Sequence, residues 1–307
     1  EFRKILAAAR ARRPDIAILT DSPDFNLRLA PRLRRLGIPV VYLVAPQVWA
    51  WRKGRIRAIR RHISRLLCIF PFEEDFFRRH GVPTLYIGHP LARLVRPTLA
   101  REEFFRKHRI PGDRPLIVLL PGSRPGEILR HLAPLAAAVT RLRQAQAVSF
   151  VVALPPAVAP PVARFWEPFD RAPIQVIEGD TWNAIAHARL ALAASGTVTV
   201  EAALLGTPMV AFYRVTSVSW WLGRFLVDVP YYSMVNLIAG RQVVPELMQN
   251  EMTGEALAAE ARRLLADESA RLRMRQELAR VAAALTGDED PIEKAASAVA
   301  GLLPKGF

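Results

Sequence analysis

Two short segments of this chain bring together residue types that bind anions. The first, Pro121-Gly122-Ser123-Arg124-Pro125-Gly126-Glu127, follows an apolar run at 115–120 and precedes a long helix-compatible stretch. A glycine turn there lets the backbone approach a ligand closely, and the free N–H groups of a first helical turn carry partial positive charge suited to phosphate. Arg124 adds a planar, permanently charged fork that can grip a phosphate through two hydrogen bonds. The same turn could also simply end a strand and start a helix. The second segment, Ser195-Gly196-Thr197, follows the run 190–194, with Glu201 one helical turn further on and facing the same way. A carboxylate there can accept hydrogen bonds from ribose hydroxyls, or serve as a partner of the helix dipole. Two phosphate-ready helix starts point to a nucleoside diphosphate. Neither is a P-loop, because no Gly-Lys-Ser/Thr follows, and GxGxxG is absent, which argues against ATP hydrolysis and hydride transfer.

Other candidates are single residues. Asp21 lies at the carboxyl end of an expected strand, where it could take a proton from an attacking hydroxyl or satisfy loop amides. Asp24 reads as the N-cap of the next helix. His89, in Gly88-His89-Pro90, could meet a sugar or phosphate, or be packed as a structural histidine. Trp49 and Trp51 precede the basic run 52–65, which holds no acidic residue. Tryptophan beside Arg52 and its neighbours suits a lipid headgroup zone, or a solvated basic helix. Trp220 and Trp221, with Phe225 and Leu226, form a second aromatic group that could be core or an acyl-chain contact. The six histidines and single cysteine show no metal-ligand spacing, so neither metal nor cofactor is expected.

The elements that must position these residues alternate as in parallel sheets with helices on both faces. Strands are expected at 15–20, 39–44, 65–70 and 84–87, and again at 116–120, 149–153, 174–178, 190–194 and 209–213. Helices fall between them, and 253–303 reads as helical, with Leu278, Val281 and Leu285 on one buried stripe. The expected fold is therefore α/β: two doubly wound, Rossmann-like domains, residues 1–96 and 97–307, with a cleft between them.

The net charge of +15 and pI of about 11.0 call for an acidic partner or surface. Nucleic acid is one such partner, but no recognition motif for it is present. No apolar run is long enough to span a bilayer, and no signal peptide opens the chain, so a soluble or peripheral protein is expected. Cys68 sits in an apolar run and reads as a buried, inert thiol.

In sequence order, Val44-Ala-Pro-Gln-Val-Trp-Ala-Trp-Arg52, Phe70-Pro-Phe-Glu73, Gly88-His-Pro90, Leu120-Pro-Gly-Ser-Arg124, Ser195-Gly-Thr197 with Glu201, Asn236-Leu-Ile-Ala-Gly240 and Pro245-Glu-Leu-Met-Gln249 resemble the lipid-A-disaccharide synthase family. That resemblance implies a GT-B glycosyltransferase, inverting and metal-independent. It would join UDP-2,3-diacylglucosamine to 2,3-diacylglucosamine 1-phosphate through a β-1,6 link and release UDP. It implies Asp21 as general base and Arg124 as the essential arginine. Gly122, Ser123, Ser195, Gly196, Thr197, Glu201, Asn236 and Gln249 would line the nucleotide site. Trp49, Trp51, Arg52, His89, Trp220 and Trp221 would be acceptor or membrane contacts. Peripheral association with the cytoplasmic face of the inner membrane follows, and self-association is compatible with it. Another UDP-sugar enzyme of the same architecture, an epimerase or a different glycosyltransferase, would share the nucleotide turns. The family begins with a further strand and a Gly-rich loop that these residues do not include, so an N-terminally short acceptor domain is expected. Met234-Val235 stands where the family has Leu-Pro.

Overall fold

Strands buried on both faces read as unbroken apolar runs rather than alternating ones, and two such strands, Leu116–Leu120 and Leu190–Ala194, have every residue buried. They lie at the centre of a parallel sheet. The computed structural model describes residues 1–156, 169, 174–216, 220–221 and 229–303. Within these the chain divides into two compact units.

The first unit holds Glu1–Arg93 and the described residues from Ala283 on. Its sheet runs β1 (Ala17–Thr20), β2 (Val40–Leu43), β3 (Arg65–Cys68), β4 (Thr84–Tyr86), all parallel and in that spatial order. Helices Pro23–Arg35, Ile56–His62 and Pro71–Arg79 connect them. Cys68 is buried within β3, where burial pushes its thiol up.

The second unit holds the described residues from Leu94 to Ala282, Val229 excepted. Its strands are β5 (Leu116–Leu120), β6 (Ser149–Leu154), β7 (Gln175–Glu178), β8 (Leu190–Ala194), β9 (Met209–Tyr213) and β10 (Glu246–Met248). They lie in the order β10-β9-β8-β5-β6-β7. Renumbered from β5, this is the doubly wound nucleotide-binding order, which reverses between β5 and β8. The nine expected strands are present. β10 was not expected, since its three residues begin with Glu246 and form no apolar run.

The expected domain limits differ from the observed units at the C-terminal end. Residues from 283 on belong to the first unit, not the second. Ala295 joins Val41, Leu67 and Ile87 in one core, with Ala298, Val299 and Leu302 packed against it. The helix Pro291–Ala300 starts sharply, because Asp290 accepts hydrogen bonds from the Ile292 and Glu293 amides and Pro291 is its first residue. Periodicity showed that this region has a buried face; it carries no information about which sheet receives it.

The helices Pro125–Ala145 and Gly254–Ala266 of the second unit approach closely at Gly254, where an added Cβ would lie 2.5 Å from the Ala137 Cβ. Gly254→Ala should therefore lower unfolding stability by about 1–3 kcal/mol through overpacking, read from denaturant melts.

Candidate functional site

β5 and β8 are neighbours, with Leu120 beside Ala193, so the two turns expected to bind anions leave the sheet side by side. Each runs into a helix, Pro125–Ala145 after the first and Thr197–Leu204 after the second. Neither helix start is capped by a side chain. Ligands of open parallel sheets bind where the strand order reverses, at the strands' carboxyl ends. A cavity of about 690 Å³ opens there.

Seven of the expected residues line it: Gly122, Ser123, Arg124, Ser195, Gly196, Thr197 and Glu201. Gly122 sits at φ +121, and an added Cβ would lie 3.1 Å from Glu127 Oε2. Only glycine fits that conformation and that approach. The Arg124 side chain is 78% exposed and donates to Glu127 Oε1 at 2.8 Å. The Ser195 hydroxyl donates to the Tyr232 carbonyl at 2.7 Å, fixing that turn.

Glu127, Tyr213 and Trp182 also line the cavity and had no assigned role. Burial alone would raise the Glu127 carboxyl, but hydrogen bonds from Arg124 and Tyr213 outweigh it and hold it below its ordinary value. The Tyr213 hydroxyl, 2.9 Å from Glu127 Oε1, is pushed up to about 12 by burial and that carboxylate. The signal for Glu127 was its place three residues after Arg124 on a helix. Tyr213 ends β9 at the carboxyl edge, a position strand patterning marks without naming a function.

His131 is a further unrecognised residue. Fully buried, it meets the Pro121 carbonyl through Nδ1 at 2.7 Å and accepts the Arg214 amide through Nε2 at 3.0 Å. One neutral tautomer serves both contacts, with the proton on Nδ1. The ring thus ties the first anion turn to the end of β9.

Several expected contacts lie elsewhere. Asn236 is buried and used up internally: its amide donates to Val244 O and Glu246 Oε1, and its oxygen accepts the Val243 and Val244 amides. Gln249 is likewise spent on both polar groups of Val215. Neither lines the cavity; both hold loops, because a buried amide must be satisfied and the nearest partners are backbone. Trp49 is only 8% exposed, and its indole N–H donates to the buried Glu73 carboxylate at 2.9 Å, so it is core rather than a lipid contact. His89 is 5% exposed, packs on Phe70, accepts the Leu91 amide and is held down to about 4 by burial. It is a structural histidine, not a ligand residue. Trp51 remains 37% exposed beneath the Arg52 guanidinium, 4.4 Å from its ring centre. Asp24 is not the N-cap, which is Ser22; it pairs with Arg52 and Arg55 instead. Trp220 packs near Tyr232 and Trp221 is exposed, but Phe225 and Leu226 lie outside the described residues.

In the first unit, Asp21 directly follows β1 on an exposed turn with φ 52, followed by Ser22 at φ 39. Two consecutive left-handed residues without glycine are costly and need support. Buried Asn26 donates to the Thr20 and Asp21 carbonyls, each at 2.8 Å, and the Tyr42 hydroxyl donates to the Asp21 carbonyl. Among the described residues no cluster of three or more His, Cys, Asp or Glu is placed to hold a metal ion.

Known proteins resemble this chain over nearly its whole length. The family model described as lipid-A-disaccharide synthetase (LpxB) matches residues 2–299. The lipid-A-disaccharide synthase of Solibacter usitatus is 62% identical over 303 residues, covering 99% of this chain and 79% of the relative. That of Myxococcus xanthus is 42% identical over 307 residues, covering 99% and 80%. Among solved structures, the S. aureus MnaA-UDP co-structure superposes with a TM-score of 0.67 at 13% identity, covering 100% of this chain and 82% of that one. The UDP-GlcNAc 2-epimerase from Neisseria meningitidis bound to UDP-GlcNAc gives 0.64 at 12%, covering 98% and 79%. At those identities the likeness is one of fold.

Burial holds His131 below its ordinary 6.5, so as pH falls the unfolded chain takes up the proton first. The stability this histidine contributes is full above about pH 6.5 and is lost as pH drops toward its lowered folded value. Denaturant melts from pH 7.5 to 5 should show a shallower acid loss in His131→Asn than in the parent chain.

Proposed function

The chain belongs to the lipid-A-disaccharide synthase family, and from that premise we propose that it joins UDP-2,3-diacylglucosamine to 2,3-diacylglucosamine 1-phosphate, forming the β-1,6-linked disaccharide 1-phosphate and UDP. It is a glycosyltransferase of GT-B architecture acting in lipid A synthesis. The observation that carries the nucleotide assignment is the cavity at the β5–β8 reversal. It is framed by two uncapped helix starts and Arg124, with Glu201 inside it.

In this reading the UDP diphosphate rests on the two helix starts, and Arg124 grips it. As the bond from C1 to the UDP oxygen breaks, negative charge grows on the leaving diphosphate. Donors already aimed there stabilise it without reorganisation, which suits a reaction needing no metal. The acceptor 6-hydroxyl oxygen attacks C1 from the opposite side, inverting it, and Asp21 takes the hydroxyl proton. The clamped backbone at Asp21 supports this role, since it fixes the point from which an exposed carboxylate projects just past a strand's carboxyl end.

Arg124→Ala should weaken UDP binding by at least about tenfold, because it removes a charge-assisted pair of hydrogen bonds. Asp21→Ala should bind UDP normally in calorimetry while disaccharide formation falls by about 10²–10⁴-fold. Normal turnover by the Asp21 variant would remove the base assignment.

The diacylated substrates support a peripheral position on the inner face of the inner membrane, as does one surface of the first unit. On helix Ile56–His62, Ile56 and Ile59 face inward while Arg57, Arg60 and Arg61 are exposed, close to exposed Trp51 and Lys53. No described helix is long and apolar enough to cross a membrane. Co-sedimentation with anionic vesicles should occur at low salt and fade as ionic strength rises, and should be weakened by replacing Arg57, Arg60 and Arg61 with Gln.

A further inference from the structure

The Trp182 indole lies in the wall of the nucleotide cavity and donates its N–H to Glu201 Oε2 at 3.2 Å. Among the described residues this is the only hydrogen bond that reaches the Glu201 side chain, and Oε1 has no hydrogen-bond partner among them. Glu201 sits one turn into the helix Thr197–Leu204. That sets it one helical turn, ~5.4 Å along the axis, from the helix start. A carboxylate at that depth, with one oxygen anchored and the other without a partner among the described residues, suits a vicinal diol.

We propose that Trp182 is a positioning residue for the nucleotide: it fixes the Glu201 carboxylate as acceptor for the ribose hydroxyls, and so makes the site prefer a ribonucleoside over a 2′-deoxyribonucleoside diphosphate. This rests on the UDP reading above and adds the residue that sets its sugar specificity.

Trp182 is well held for such a task. It is the second residue of the helix Thr181–His187, whose start is fixed from both sides. Asp180, just before it, accepts Lys107 Nζ at 2.6 Å and His108 Nε2 at 2.7 Å on one oxygen, and Asn183 Nδ2 at 3.0 Å on the other. Buried Asn183 in turn accepts the Thr98 and Leu99 amides. The Thr181 hydroxyl donates to the Leu154 carbonyl at the end of β6. The residues flanking the tryptophan in sequence are therefore tied to β6 and to residues 98–108, and the indole N–H is directed at Glu201. Burial raises the Glu201 carboxyl, and the indole N–H opposes that rise. The same contact thus orients the carboxylate and favours the charged form, the better acceptor of two hydroxyl donors.

The test is calorimetric affinity for UDP and for 2′-deoxy-UDP in the parent chain, Trp182→Phe, Glu201→Gln and the double variant. The parent should prefer UDP. Trp182→Phe, which keeps an aromatic ring but removes the donor, should lose about tenfold in UDP affinity with little change for the deoxynucleotide. Glu201→Gln should lose the same preference, and adding Trp182→Phe to it should cost nothing further. An equal loss for both nucleotides, an unchanged preference, or additive losses in the double variant would overturn the role of Trp182 while leaving the UDP site intact. A parent chain that binds neither nucleotide would overturn the UDP reading, and this role with it.

Discussion

The adjacency of β5 and β8 is the constraint on which the proposed nucleotide site depends. The chain visits β5, β6 and β7 on one side, then returns to place β8 against the other edge of β5. Because right-handed crossovers that run in opposite directions from the reversal put their helices on opposite faces, the turns after β5 and β8 diverge and leave a crevice between them. Two helix starts separated by about seventy residues of sequence thereby address one cavity. The near-continuous apolar character of both strands is what keeps them central, since only a strand covered on both faces can sit at that reversal.

Around that crevice the charges are arranged as a chain of mutual support. Arg124 and Tyr213 both donate to Glu127, and Glu127 fills the space that Gly122 leaves open. His131 joins the turn carrying these groups to the end of β9, next to Tyr213. A carboxylate beside a proposed phosphate site looks opposed to that purpose. Its effect is to hold an exposed arginine in reach of the cavity, which lowers the ordering cost when an anion binds.

The first unit applies the same principle with different means. Its strand order has no reversal, and its candidate base stands on a strained turn held by Asn26 and Tyr42. The aromatic and histidine motifs that follow are mostly internal. Glu73 holds Trp49, Phe70 packs on His89, and the His89 amide donates to the Leu285 carbonyl of the returning C-terminal segment. Motifs that look like ligand contacts in a linear reading are here the joints of the unit.

Much of this was legible in the residues. Short apolar runs marked nine strands, because burial on both faces requires them, and the glycine turns with Arg124 and Glu201 marked the cavity, because helix starts and small residues act locally. The resemblance carried the substrate. Other features depend on distance in sequence and could not be read that way. Whether Asn236, Gln249, Trp49 and His89 face a ligand or the core is decided by which partners the fold brings to them, and each found internal ones. The sheet that the C-terminal helix joins, and the meeting of Trp182 with Glu201 and of Tyr213 with Glu127, follow from strand order. Local patterning encodes which face of an element is buried; it does not encode against what.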